Sequence, residues 1–163
     1  MKIKADFVTN SSSSSFLVFW PKLIKKRGDV ANYIKRDDFT STIFEDALRQ
    51  TPVRITKKST KKIIDILVSS SACYDFDFEH TFCSEHGITR KDLRENVQWR
   101  DLCWKEQDRV RKEKCIEEAH KLVEQHRGSY MYTFEYSDET EYGNELEHHN
   151  NWGGLPHVTI SNH

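Results

Sequence analysis

Long apolar runs are missing from this sequence. The longest is Phe16 to Trp20, far short of the roughly 20 apolar residues that a membrane-spanning helix needs. Met1 to Phe7 likewise lacks the apolar stretch of a secretory signal. The four cysteines, Cys73, Cys83, Cys103 and Cys115, are therefore expected as reduced thiols in a cytoplasmic setting. Glycine and proline are scarce, with six and three residues, and none falls between Arg90 and Gln125. Lysine and arginine stop altogether at Arg127. No Walker loop, dinucleotide fingerprint or Gly-x-Ser-x-Gly elbow is present, so nothing points to nucleotide-loop or serine-hydrolase chemistry.

What is present suits one modest core. The 163 residues are 36% hydrophobic, 12% aromatic and 31% charged, with a formal net charge of -1. That balance argues against disorder and against a protein that coats nucleic acid indiscriminately. The near-zero total hides a polarity: residues 1–62 hold fourteen Lys/Arg against six acids, and residues 63–163 hold eleven against twenty. Such a charge distribution either orients an approaching partner or draws the two halves of one fold together.

Periodicity places the elements. Ile3, Ala5 and Phe7 alternate with polar residues as in a half-buried strand. After the serine run Ser11–Ser15, the uniformly apolar Phe16–Trp20 predicts a buried central strand ending at Pro21. Asp29 is expected to cap a short helix running to Ile34, and Thr42 with Glu45 makes a capping box for another that stops before Pro52. Ile63, Ile64 and Leu67 fit a helix face, although the run also reads as a strand. Tyr74, Phe76 and Phe78 alternate with acids as in a strand. Thr89 opens the longest helical stretch, with Gly128 as its stop. Its apolar positions gather at the two ends, which predicts a solvated helix or two helices broken near the middle. Tyr130–Tyr136 and His157–His163 read as strands.

The C-terminal strand carries the leading chemical signal. At period 2, His157, Thr159, Ser161 and His163 share one face, with Val158 and Ile160 turned to the core. Glu145, Glu147, His148 and His149 lie just upstream, a donor set without nearby cations that suits a divalent transition metal such as Zn²⁺. The expected ligands are Glu145, His148, His157 and His163. Glu147 or His149 would serve as base toward a bound water, and Ser13 would contribute from the serine loop closing over the site. A structural zinc set is offered by Cys73, His80, Cys83 and His86. Glu117 and His120, with Glu124 a turn on, echo half of a di-iron helix pattern, against the plainer reading of a solvated face. Two basic clusters, Lys25-Lys26-Arg27 and Lys57-Lys58 with Lys61-Lys62, are candidates for contact with nucleic acid or a protein partner, without any accompanying recognition motif.

The opening Asp6-Phe7-Val8-Thr9-Asn10, the serines 11–15 and Phe16, together with the ending Glu145–His148 and Leu155–His163, resemble a group of uncharacterised bacterial and phage proteins. That group shares an N-terminal Thr-Asn-Ser-Ser-Ser-Ser-Ser-Phe motif and a His-containing C-terminal strand. The resemblance covers the two chain ends and leaves the middle unmatched. It implies that serine loop and histidine tail belong to one unit, as adjacent strands of one sheet, and that the setting is a phage or mobile element. Together these readings predict an α+β fold over residues 1–163, with an antiparallel sheet from both chain ends and a helical insertion at about 29–127 that includes one long helix. Two functions follow as expectations: a metal-dependent site, hydrolytic if catalytic, or a non-catalytic accessory protein that binds and inhibits a host protein or nucleic-acid enzyme.

Overall fold

The computed structural model describes residues 13–70, 73, 77–137, 140–148 and 151–161. The expected strand at Ile3, Ala5 and Phe7 lies outside the described residues, as do positions 74 and 76. In chain order the elements are β1 (Ser13–Trp20), α1 (Arg27–Ala31), α2 (Asp37–Leu48), β2 (Val53–Arg54), a 3-10 turn (Lys57–Ser59), α3 (Thr60–Ser69), α4 (Phe78–His86), α5 (Arg90–Glu95), α6 (Val97–Gln125), β3 (Tyr130–Ser137), α7 (Glu141–His148) and β4 (His157–Ser161). The fold is α+β. Its antiparallel sheet has the order β2-β3-β1-β4 and draws strands from both chain ends, while helices fill the middle.

The chain separates into two compact units, Met1–Ile55 with Gly128–His163, and Thr56–Arg127. α1 and α2 belong to the sheet unit, so the inserted helical unit begins at Thr56 rather than near residue 29. Where the chain leaves and re-enters the sheet unit, Ile55 N–H donates to Ser129 O at 2.8 Å and Gly128 N–H to Ile55 O at 2.9 Å.

In the sheet unit β1 is central because it is apolar on both faces: Phe16, Leu17, Val18, Phe19 and Trp20 are each at most 1% exposed. Phe16, Val18 and Trp20 share a face with Tyr132 and Phe134 across the β1–β3 ladder. On that face lie Val30 of α1, Phe39, Ile43 and Ala47 of α2, Leu146 of α7, and Trp152. Trp152 sits 5.4 Å from Phe16, 5.3 Å from Phe134 and 6.4 Å from Trp20, centroid to centroid, the last nearly perpendicular. Each such pair contributes about 0.5–1.5 kcal/mol beyond area burial. The opposite face buries Leu17, Phe19, Met131 and Ile160. Register puts His157 opposite Val18 and Thr159 opposite Phe16. These two therefore share the helix-covered face instead of a purely polar one, because a sheet buried on both sides leaves its edge strand no wholly solvent-directed row.

Polar groups in this core are tied in place. Tyr132 Oη accepts from Ile24 N–H at 3.0 Å, Tyr136 O–H donates to Asp46 Oδ2 at 2.9 Å, and Thr40 O–H donates to Ile34 O at 2.9 Å. β2 is only two residues long, and Gln50 Oε1 takes the next N–H of β3, from Thr133, at 2.9 Å. Ser14 Oγ and Trp152 Nε1 are fully buried with no partner among the described residues.

Several local expectations shift. α1 holds Asp29 at its third position rather than at its cap. α2 starts at Asp37, with two acids in its first turn where the helix dipole favours them. Thr42 is thus internal and its hydroxyl donates to Asp38 O at 3.1 Å. Residues 60–69 are helical, and Phe78 opens α4 where a strand was expected. The long stretch breaks at Asn96, near its start: Asn96 is extended, and its Oδ1 accepts from the N–H groups of Gln98 at 2.9 Å and Trp99 at 3.3 Å. α6 then runs unbroken for 29 residues, roughly 43 Å at 1.5 Å per residue. In the helical unit Phe82, Cys83, Leu93 and Cys103 form one cluster. α3 packs along α6, whose C-terminal half buries Cys115, Ala119, Leu122 and Val123.

The turn after Trp152 requires glycine. Gly153 has φ +61°, and a Cβ there would stand 2.0 Å from Tyr33 O. Gly153→Ala is expected to cost about 2–4 kcal/mol through backbone strain and forced separation of the two segments, read as a lower urea midpoint. Burial, then the Asp46 carboxylate, raises the Tyr136 phenol above its ordinary value of 10. The native state therefore holds this proton more tightly than the unfolded chain does. The resulting stability is complete below pH 10 and is lost as pH rises above it, with a slope approaching 1.4 kcal/mol per pH unit. Urea titrations at increasing alkaline pH should show Tyr136→Phe losing stability less steeply by about that amount.

Candidate functional site

The C-terminal donor set divides across two elements. Glu145 and His148 stand three apart on α7. Leu146 on the same helix is 1% exposed, and its burial under the aromatic core explains why the helix forms. Glu145 Oε2 accepts from Asn151 Nδ2 at 2.6 Å. His157 opens β4, with Nδ1 3.0 Å from Leu155 O and its ring 6.2 Å from Trp152. Ser13 pairs with Ser137 through the backbone. His149 and His163 lie outside the described residues, as do the side chains of Ser13, Glu147 and His148. Among the described residues, no three His, Cys, Asp or Glu side chains converge as a metal site. The first and last described strands are adjacent, with Ser14 paired with Ser161 across β1 and β4.

The expected zinc set of Cys73, His80, Cys83 and His86 is not assembled. Because residues 78–86 form a helix, Cys83 turns into the aromatic cluster beside Phe82, while His80 is exposed. The His86 ring lies 4.2 Å from Phe82 and 5.3 Å from Trp99, with Nε2 3.6 Å from Glu106 Oε2. Cys73 is half-buried in the connection between α3 and α4. Glu117, His120 and Glu124 are exposed on α6, as a solvated face would be.

The two basic clusters have different fates. Lys57, Lys58, Lys61 and Lys62 are exposed on the helical unit. Arg27 is spent on structure, its guanidinium bonding Ser41 Oγ at 3.2 Å and pairing with the Asp37 carboxylate. Lys25 and Lys26 join Lys22 and Arg54 around a cleft of about 580 Å³, whose apolar part comes from Pro21, Leu23 and Tyr130.

Local physics shapes that cleft. Pro21 ends β1, and buried Ile24 anchors the segment that follows. Three consecutive amides are then committed: Ile24 N–H to Tyr132 Oη, and Lys25 and Lys26 N–H to Asp29 Oδ2 at 2.9 and 3.0 Å. These backbone bonds, Lys25 first, lower the Asp29 carboxyl below its ordinary value. The loop backbone is held while its ammonium groups remain at the surface, and among the described residues none of Lys22, Lys25 and Lys26 is in an ion pair. Arg54 and Tyr130 are directly opposite in the β2–β3 ladder, and Tyr130 is opposite Trp20 in the next. Sequence reading missed both residues, since only strand register brings them to the lysine loop.

The cleft therefore offers four cations and an apolar floor against one carboxylate already accepting backbone N–H groups. Among the described residues that line it there is no His, Cys or Ser. Comparison with protein-family profiles, curated proteins and solved structures yields no match to this chain.

Proposed function

We propose that this chain is a non-catalytic binding protein that grips a short acidic segment of a protein partner in the cleft between the Lys22–Lys26 loop and Arg54. The observation that carries this reading is the concentration of four cations around one small, partly apolar concavity on a rigid backbone. Lysine ammoniums complement carboxylates without demanding one geometry, and Leu23 with Tyr130 suits an apolar side chain between the acids. A protein segment fits better than nucleic acid. The residues of the sheet unit, 1–55 and 128–163, hold ten Lys/Arg against twelve acids, so a polyanion longer than the cleft meets repulsion on either side. In the phage or mobile-element setting that the terminal motifs imply, the partner is a host protein and binding is inhibitory.

A divalent metal, with Zn²⁺ the leading choice, held by Glu145, His148, His157 and His163 is the second reading. It is favoured by one observation: α7 sets Glu145 and His148 three positions apart on one helix. Glu147, His149 and Ser13 are its candidates for handling a bound water.

An array of Asp/Glu-rich peptides carrying one aromatic or aliphatic residue, with single-stranded DNA of equal charge as comparator, tests the first reading. Binding is expected for the peptides, and Lys22→Glu/Lys26→Glu should weaken it on the order of tenfold or more. Binding that survives the double reversal, or a preference for DNA, overturns this reading. Elemental mass spectrometry on untagged protein tests the second, with about one metal per chain expected and lost in His157→Ala. A metal-free chain would retire that reading alone.

A further inference from the structure

One line of side chains on α6 is buried toward the end of the helix and bare toward its start. At about 3.6 residues per turn, Val97 and Trp104 stand about five turns before Cys115 and Leu122, so all four share one face. Cys115, Ala119 and Leu122 are buried there, and α3 packs along α6. Arg111, one turn before Cys115, donates to Val68 O at 2.7 Å and to Ser70 O at 3.2 Å, where α3 ends. Ahead of Arg111 the face is open: Trp104 is 74% exposed and Val97 58%. Tryptophan is rarely left so bare, and in this chain Trp20 and Trp152 are fully buried while Trp99 packs on the Phe82–Leu93–Cys103 cluster. That cluster meets α6 at Trp99 and Cys103, which lie roughly 140° and 100° around the helix from Trp104.

We propose that this open face is a self-association surface, on which two copies of the chain pair antiparallel through the first half of α6, Trp104 against Trp104 at the two-fold axis. The order of charges around the indole selects a second copy as the occupant. The polar neighbours of Trp104 on its own face are Arg100 and Asp101 on one side, Gln107 and Asp108 on the other. Laid antiparallel about Trp104, each copy sets Arg100 opposite the other's Asp108 and Asp101 opposite the other's Gln107. The pattern is thus its own complement under a two-fold axis. A parallel pair would set Arg100 against Arg100 and Asp108 against Asp108, which like-charge repulsion disfavours. Neither member of the charge pair is saturated within its own chain. Arg100 gives one N–H to Arg94 O at 3.2 Å. Asp108 pairs with Lys112 at 2.6 Å and Arg111 at 3.2 Å, and a carboxylate has about four lone-pair sites. One helix face with a single aromatic anchor buries less than the roughly 1,200 Å² of a stable complex, so the dimer is reversible and forms in the micromolar range.

Sedimentation equilibrium on the full chain, from about 5 to 500 µM at low salt, tests this directly, with a monomer–dimer constant on the order of tens of micromolar expected. Raising the salt to about 0.5 M should weaken association severalfold, and Trp104→Ala should weaken it about tenfold or more. Arg100→Asp and Asp108→Arg should each reduce self-association, because one chain then carries Asp at both positions and the other Arg at both. Mixing these two variants should bring dimers back, and the double variant Arg100→Asp/Asp108→Arg should self-associate within about threefold of wild type. None of these residues lines the basic cleft, so the outcome is independent of what that cleft binds. A chain that stays monomeric over the whole range, association untouched by Trp104→Ala, or a double variant no better than the single ones would overturn the proposal.

Discussion

A strand that is apolar on both faces is satisfied only in the middle of a sheet with cover on each side, and the sheet unit is organised around that requirement at Phe16–Trp20. Both neighbours of β1 come from the far end of the chain, so the sheet joins segments separated in sequence by residues 56–127. The bonds between Ile55 and the Gly128–Ser129 segment show how that is managed: exit and re-entry lie side by side, and the β2–β3 ladder continues through them. Trp152 completes the helix-covered face, and the glycine after it exists because the turn that delivers the indole rests on the Tyr33 backbone.

The end of the same strand sets up the basic cleft. Once Pro21 stops the ladder, the chain must turn over the rim of the core, and its amides are consumed by Tyr132 and Asp29 in quick succession. Other cations of the unit serve the fold. Arg36 pairs with Asp38 and Glu141 and lies over the Phe39 ring, and Arg27 binds at the start of α2. Among the described residues, the lysines of the cleft loop have no such partner.

The helical unit works by a different rule. α6 is mostly polar and gains support from ion pairs along its own surface, such as Arg109 with Glu113 and Lys112 with Asp108. Exposed pairs of this kind contribute little each, so its position depends on two short apolar contacts. One is the Phe82–Leu93–Cys103 cluster near its start, and the other is the face packed along α3.

The sequence by itself determined the fold class, the central strand, β3 and β4, and the presence of one long helix, because residue periodicity and turn chemistry act over a few positions. It also pointed to Lys25 and Lys26 as surface charge. It misjudged where local options compete: Thr42 and Asp37 are both acceptable starts for α2, Asn96 can sit in a helix or cap one, and α7 contains poor helix formers that only the burial of Leu146 overrides. Tertiary structure alone decided that Arg54 and Tyr130 meet the lysine loop and that the four candidate zinc ligands do not come together. Those outcomes depend on strand register and helix packing between segments distant in the chain, and no short-range pattern encodes which distant side chains a register aligns.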